Sequence, residues 1–487
     1  MKNSLIDIVV MAAGKGSRMK SSVPKVLHRL GGKTLLAHVM DCADRLSAQQ
    51  MILITGHGAD MVEAAAVKMA MQLQTPVQSV RQMPQLGTGH AVQQALPRLS
   101  KNSDTPAGNS HPCHRVTLIL SGDVPLIEMA TLQALIAATD HGKSLALLTL
   151  HLPDPSGYGR IVRDTAAAQK PVIAIREHKD ASPEERQIGE IYSGIMAVPT
   201  DCLVRWLPRL DTHNAQGEYY LTDIVKLAVA DGIPVVGHGI TDAAQVAGIN
   251  DPQQLAELER EYQKRQATAL MQAGVRLADP ARLDIRGQLT CGLDVEIDVN
   301  CVFEGRVELG DQVRIGANCV IANCRMAAGT VVQPFTHIDG GADVDFPGVD
   351  IGENARIGPF SRLRPGTALA AEVHIGNFVE VKNSRLAEGA KANHLAYLGD
   401  ADVGERVNYG AGSITANYDG ANKHRTVIEA DVHIGSNCVL VAPLTIGAGG
   451  TVAAGSTVNE TTLPAVLTIA RIPQRSIERW RRPVKGQ

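Results

Sequence analysis

Aromatic residues are scarce in this chain, with five Phe, eight Tyr and two Trp among 487 residues, so its cores must be built mainly from Ala, Val, Leu and Ile. Charge of one sign is also lacking: the net charge is −3, which leaves no overall basic field for nucleic acid or a membrane surface. No apolar run approaches the ~18 residues of a membrane span. Asp7 interrupts an apolar start that Gly14 and Lys15 soon end, unlike a secretory signal. Eight cysteines run from Cys42 to Cys438 without a pair at CxxC spacing. That excludes a cysteine-dense scaffold and fits reduced thiols. HPCH (His111–His114) has no fourth ligand spaced to complete a zinc site. The expectation is a cytoplasmic protein, too long for one core and therefore of at least two domains.

What is present falls into three stretches. Residues 1–250 alternate β-branched runs (Ile6–Val10, Met51–Thr55, Val116–Leu120, Pro234–Val236) with helix-like ones such as Thr34–Leu46 and Gly89–Leu96. This predicts an α/β domain with a mostly parallel, Rossmann-like sheet, whose ligands bind beyond the carboxyl ends of strands. KNSDTPAGNSHPCHR (101–115) reads as a surface loop. Residues 251–274 read as a helical arm, capped by Asp251, started by Pro252 and ended by Gly274. In residues 275–487 aliphatic side chains recur every six positions. Ile297, Phe303, Leu309, Ile315 and Ile321 form one series; Ile351, Ile357, Leu363, Leu369, Ile375 and Val381 a second; Ile428, Ile434, Leu440, Ile446, Val452 and Val458 a third. Neither a helix nor a simple strand has this period; the hexapeptide repeats of a parallel β-helix do. The period slips between Val381 and Leu398 and dissolves across NYGAGSITANYDGANKHR. Solenoids place functional loops at such breaks. Here the breaks hold His394, Tyr397, Asn417 and Tyr418.

The first strand discharges into Gly14-Lys15-Gly16, with Arg18, Lys20 and Lys25 following. Glycines let backbone N–H groups approach an anion and the cations offset its charge, although a plain tight turn has the same look. A Walker loop is excluded because Ser17-Arg18 follows Gly16, and the dinucleotide fingerprint because Met19 stands where its third glycine belongs. In SGDVPL, Asp123 either holds Mg²⁺ against phosphates or caps the next turn. QLGTGHA is a second glycine turn into a helix, either a ligand contact or a helix entry. A base with a pKa near 7 suits deprotonation of an amine, which favours histidine, and among sixteen His394 stands out at a break three residues from Tyr397.

MAAGKGSRM, Lys25, QLGTGHA, SGDVPL, SGYGRI, REHKDA, YLTD and GIN, in this order, resemble the sugar-nucleotide uridylyltransferases. With the hexapeptide half, the chain resembles end to end the bifunctional N-acetylglucosamine-1-phosphate uridylyltransferase/glucosamine-1-phosphate acetyltransferases. The resemblance implies a left-handed β-helix and a homotrimer with shared acetyl-transfer sites. It also implies acetyl transfer from acetyl-CoA to glucosamine-1-phosphate, then uridylyl transfer from UTP to N-acetylglucosamine-1-phosphate for peptidoglycan and lipopolysaccharide precursors. By resemblance, Met11, Ala12, Ala13, Gly14, Gln82, Gly87 and Thr88 hold the nucleotide, Arg18 and Lys25 neutralise its phosphates, and Gly159 and Glu177 contact the sugar. Asp123 and Asn250 bind Mg²⁺. Two positions depart from the family: Tyr192-Ser193-Gly194 replaces Asn-Thr-Gly or Asn-Ser-Gly, and Ser121 replaces a Tyr before Gly122-Asp123. Tyr192 then stacks on or donates to a ligand, and Ser121 and Gly122 keep a backbone role.

On the hexapeptide half, the resemblance makes His394 the proton acceptor and Glu380 the group orienting its ring. Arg364 and Lys382 grip the sugar phosphate, and Tyr397 and Asn408 complete that pocket. Ala411, Asn417, Tyr418, Ser436, Ala454 and Arg471 contact acetyl-CoA, and a backbone N–H near Ala411 receives the oxyanion. Without the family, Arg364 reads as a turn residue and Arg471 as part of a solvated tail. The basic end SIERWRRPVKGQ is read beyond Arg471 as a charged tail.

Overall fold

A computed structural model describes residues 5–101, 115–342 and 344–482. HPCH, with the rest of the stretch 102–114, and the end of the basic tail lie outside the described residues. Two compact units divide the chain, Met1–Tyr262 and Gln263–Gln487.

The first unit is built on a sheet whose main path has seven strands: β1 (Leu5–Ala12), β2 (Gln50–Thr55), β3 (Val77–Arg81), β4 (Arg115–Ser121), β5 (Leu145–His151), β6 (Glu190–Pro199) and β7 (Val235–Ile240). Their order is β7-β5-β6-β4-β1-β2-β3. Only β6 runs against the rest of this path, pairing antiparallel with both β4 and β5. Strand β2 is buried at every position because apolar clusters cover both faces of the sheet, as in parallel sheets generally. The hairpin of Gly159–Arg163 and Val172–Arg176 attaches to β6, with Gly159 opposite Tyr192. β6 changes register between Tyr192 and Met196. The crossover helix Leu35–Asp44 starts where predicted, Thr34 accepting a hydrogen bond from Ala37 N. The predicted stretch Gly89–Leu96 is instead two short helices, Thr88–Gln93 and Leu96–Lys101.

The helix Pro252–Gln272 begins at Asp251, whose Oδ1 accepts from Gln254 N at 2.9 Å. Leu258 joins an apolar cluster of the first unit, and Ala267 the core of the second.

In the second unit every pairing between strands is parallel among the described residues, and residues six apart land on successive faces of a three-sided coil. Ile297, Ile315, Val332, Ile357, Ile375, Ala392, Tyr409, Ile434 and Val452 form one inward column. Phe303, Ile321, Ile338, Leu363, Val381 and Leu398 form the second. Leu309, Met326, Ile351, Leu369, Leu386, Val403, Ile428 and Ile446 form the third. The first face carries eleven strands. At ~4.8 Å per strand the column is roughly 48 Å tall. All members of the three predicted series are buried.

Coil length explains the broken period. Ile375, Ala392 and Tyr409 stack at intervals of 17 rather than 18 residues, and Ile434 follows Tyr409 only after 25. The coil does not dissolve from Asn408 as the sequence led us to expect: Asn408–Tyr409 and Ile414–Ala416 remain strands, and the loop begins after Ala416. Tyr409 takes the inward place of an aliphatic residue and is buried.

Candidate functional sites

Strand β1 ends at the turn the sequence pointed to. Gly16 sits at φ +57, where a Cβ would lie 2.7 Å from Lys25 Cβ, so only glycine turns the chain here and brings Lys25 inward. The β4 end lies alongside: Gly122 N donates to Met11 O at 2.9 Å. A cavity of about 400 Å³ opens at these carboxyl ends. Its lining includes Met11, Ala12, Ala13, Gly14, Lys25, Gln82, Gly87, Thr88, Ser121 and Asp123, all expected from the sequence. Lys15, Gln85 and Glu218 line it too and were not singled out. Gln85 carries a signal in QLGTGHA itself, and its Nε2 donates to Ala13 O at 2.9 Å. Gln82 is buried, donating from Nε2 to Gly87 O at 2.9 Å. Arg18 stays on the exposed turn Ser17–Met19, outside the cavity lining.

The floor of the cavity is electrostatic. The Lys25 ammonium pairs with Asp123 Oδ2 and also donates to Asn250 Oδ1 at 3.2 Å. Ser121 Oγ donates to Asp123 Oδ1 at 2.6 Å. A cation thus already sits where two oxygen donors converge. Among the described residues no cluster of three or more His, Cys, Asp or Glu could hold a metal by itself. Two oxygen donors still fit a hard cation that takes its other ligands from water and phosphate.

Gly159, Glu177 and Tyr192 form a separate group. Glu177 accepts from Thr222 Oγ1 at 2.9 Å, and burial raises its carboxyl above the usual range. Its Oε2 would lie 3.8 Å from a Cβ at Gly159. Burial also raises the Tyr192 phenol well above its usual value, and its hydroxyl has no hydrogen-bond partner among the described residues.

In the second unit the expected residues flank one corner of the coil. A single row climbs that corner: Leu395 N donates to Asn377 O, Gly412 N to His394 O, Asn437 N to Ala411 O and Gly455 N to Ser436 O. Asn377, His394, Ala411, Ser436 and Ala454 are therefore successive rungs, and the last four line a cavity of about 490 Å³ together with Asn408 and His433. Arg471 Nη1 donates to Ala454 O at 2.8 Å at the upper end of the row.

Round the corner, Glu380–Lys382 and Tyr397–Gly399 are paired strands of the next face. Glu380 Oε1 is held by Arg364 Nη1 at 2.7 Å, whereas the His394 ring meets Asn377, with Nδ1 and Oδ1 2.8 Å apart. Asn377 is thus the neighbour that sequence reading missed; the parallel register places it one coil below His394. Lys423 was missed as well. It lies against Lys382, and this neighbouring amine is the main cause holding the Lys382 amine below its usual value. The buried Asp400 accepts from Asn383 Nδ2 and Asn417 Nδ2, each at 2.5 Å, anchoring the start of the inserted loop. Tyr418, on that loop, is exposed and donates to Gly420 O at 2.6 Å.

Comparison with known proteins adds identity to this geometry. The family model of the MobA-like NTP transferase domain matches residues 8–193. The bifunctional protein GlmU of Polaromonas naphthalenivorans is 69% identical over 481 residues, covering 99% of this chain and 98% of its own. That of Paracidovorax citrulli is 62% identical over 99% of both chains. The Nitrosospira multiformis protein is 52% identical over 99% of this chain and 98% of its own. With curated relatives this similar over nearly the whole length, the chain belongs to the GlmU family of bifunctional enzymes, in which a nucleotidyltransferase domain and a left-handed β-helix of hexapeptide repeats serve uridylyl and acetyl transfer.

Proposed function

We propose that the two reactions run at the two clusters described above, one in each compact unit: acetylation of glucosamine-1-phosphate at the β-helix corner, and uridylylation of N-acetylglucosamine-1-phosphate at the ends of β1 and β4. The observation that carries this reading is the sorting of the chemistry. Glycines, cations and two carboxylates gather in the first cavity, and two histidines with a row of small residues line the other.

For uridylyl transfer the sugar-phosphate oxygen attacks the α-phosphorus of UTP in line and pyrophosphate leaves. Such chemistry needs alignment and charge neutralisation more than a strong base. Met11 to Gly14, Gln82, Gly87 and Thr88 hold the uridine nucleotide, and Ser121 and Gly122 contribute backbone. Arg18 and Lys25 offset the triphosphate. Gly159, Glu177 and Tyr192 face the sugar. Asp123 and Asn250 are the residues that would hold Mg²⁺, which when bound supplies further charge neutralisation. The position of the Lys25 ammonium between their oxygens supports a cation there.

For acetyl transfer, His394 takes a proton from the amine as its nitrogen attacks the thioester carbonyl. Arg364 and Lys382, joined by Lys423, grip the sugar phosphate beside Tyr397 and Asn408. A phosphate dianion between Lys382 and Lys423 would let both amines stay protonated. Acetyl-CoA runs along the row of Ala411, Ser436 and Ala454, whose small side chains leave room for an extended arm, with Asn417, Tyr418 and Arg471 at its margins. A backbone N–H near Ala411 receives the oxyanion.

The same corner supports a homotrimer. Phe335, Phe360 and Phe378 stack at its apex with centroids 5.0 and 5.3 Å apart, and Leu395 follows, all four at positive φ. They are about half exposed, Leu395 more so. Bulky apolar residues held in the left-handed region at a cost of roughly 1–2 kcal/mol each, and left facing water, fit a surface covered by another copy. We place the enzyme in the cytoplasm, where its nucleotide and CoA substrates are made; no helix among the described residues is long and apolar enough to cross a membrane.

His394→Ala and Asp123→Ala proteins test the reading, with CoA release and pyrophosphate release followed separately. Each variant is expected to lose one reaction and keep the other. Loss of both with either change, or normal acetylation by His394→Ala, would overturn it.

A further inference from the structure

A histidine base needs more than proximity. Its neutral ring has one N–H and one lone pair, and the lone pair must face the amine. Which nitrogen carries the hydrogen is set by the partner of the other one. The His394 ring has one recorded hydrogen-bond partner among the described residues, Asn377, 2.8 Å from Nδ1 through its Oδ1. A carboxamide oxygen accepts and cannot donate, so this contact puts the hydrogen on Nδ1 and the lone pair on Nε2.

The coil itself enforces the contact. The strands His374–Asn377 and Lys391–His394 pair in parallel, with Asn377 and His394 as register partners. Leu395 N donates to Asn377 O at 3.0 Å and Gly412 N to His394 O at 3.2 Å, so both backbones are tied into the same ladder. Each residue is followed at once by a positive-φ turn, Phe378 at φ 57 and Leu395 at φ 50, so both stand at the same place on their coils. Glu380, the carboxylate the resemblance assigned to orient the ring, is taken by Arg364. Asn377 is neutral, so it orients the ring without the full negative charge that would raise the ring's proton affinity.

We propose that Asn377 is the positioning residue for the acetyl-transfer base: its carboxamide oxygen holds His394 in the Nδ1-protonated tautomer and leaves Nε2 to accept the proton. This rests on the base role given to His394 above. As the amine nitrogen bonds to the acetyl carbon and the C–S bond breaks, one N–H proton passes to Nε2 and then to the departing CoA thiolate. The ring ends neutral, with Nδ1–H donating to Asn377 throughout.

Nitrogen-15 NMR of the full-length protein, labelled at histidine, tests the tautomer. The measurement is made above the titration range of the ring, with His394 assigned by difference against His394→Ala. The expected result is a pyrrole-type Nδ1 and a pyridine-type Nε2. In Asn377→Leu the ring should drift to the tautomer a free imidazole prefers, with hydrogen on Nε2. Acetyl-transfer kcat should then fall roughly 100-fold, within the range general-base catalysis supplies, while KM for both substrates holds. Asn377→Asp keeps an accepting oxygen and should recover kcat to within about tenfold of the native value. Uridylyl transfer should be unchanged in both variants. A native ring already protonated on Nε2 overturns the proposal, as does an Asn377→Leu protein with native kcat. Active His394→Ala instead overturns the base assignment on which it stands.

Discussion

At the scale of single residues, the two clusters differ in how much of them could be read in advance. Lys25, Asp123 and Asn250 lie far apart in the chain yet carry motif signals, since each follows a strand end or a glycine turn. Lys423 and Asn377 carry none: Lys423 sits where the repeat dissolves and Asn377 at a polar place within a regular hexad, and only the folded coil brings Lys423 to Lys382 and Asn377 to His394. Asp123→Asn keeps the shape but removes the charge facing Lys25. Pyrophosphate release should fall by about 100-fold or more, the scale of losing a charge aligned on the reacting phosphates, while CoA release is unchanged. Lys423→Met removes one cation of a pair. A charge-assisted hydrogen bond contributes roughly 1.5–3 kcal/mol, so KM for glucosamine-1-phosphate should rise about 10- to 100-fold with kcat little changed. The Lys382 amine should also move back up toward its ordinary value, because the neighbour that lowers it is gone. Amine titration by NMR reads that shift, and a static Lys382 would refute the pairing.

At the scale of elements, periodicity was the most legible signal. Six-residue spacing named the inward columns because each hexad is one side of a coil and its aliphatic residue has a single place to go. Changes in coil length were not legible. A coil of 17 residues shifts the period by one without changing composition, and Tyr409 enters a column where the eye looks for Ile or Leu. The missing regularity between Ile321 and Ile351 has the same cause, since Ile357 follows Val332 in its column after 25 residues. Hydroxyls complete the coil where aliphatics are absent: Ser361 Oγ donates to Gly376 O and Ser413 Oγ to Gly435 O, each tying a coil to the next. In the first unit, short helices were the weak point, because the stretch from Thr88 is punctuated by glycine and proline that no period can span. Leu363 is fully buried between Ile338 and Val381 of adjacent coils. Leu363→Ala should cost about 2–5 kcal/mol, through lost transfer energy and a cavity the ladder cannot close. Hydrogen exchange should show the loss in the coils around Leu363 and leave β1 to β7 protected as before. Uniform loss of protection would mean the coil is not a locally stacked structure.

At the scale of the whole molecule, the two sites depend on different kinds of order. The cavity proposed for the nucleotide is lined from one unit: its glycines, its two lysines and its two carboxylates all come from the first unit. The residues proposed for acetyl transfer are divided by a corner, with His394 and Asn408 on one side and Arg364, Lys382 and Tyr397 on the other. The apolar apex between them is left facing water in a single chain. If a second copy covers that apex, a change there should affect one reaction and spare the other. Phe360 stacks between Phe335 and Phe378 and is about half exposed, so a charge at this position costs little in a lone chain and much in an interface. Phe360→Glu should therefore convert the proposed trimer to monomers in analytical ultracentrifugation. It should lower CoA release by at least about tenfold, since one buried unpaired carboxylate per interface outweighs 1.4 kcal/mol, and leave pyrophosphate release at the native rate. Monomers that still acetylate at full rate would make the corner sufficient by itself. An unchanged trimer would move the interface to another face of the coil.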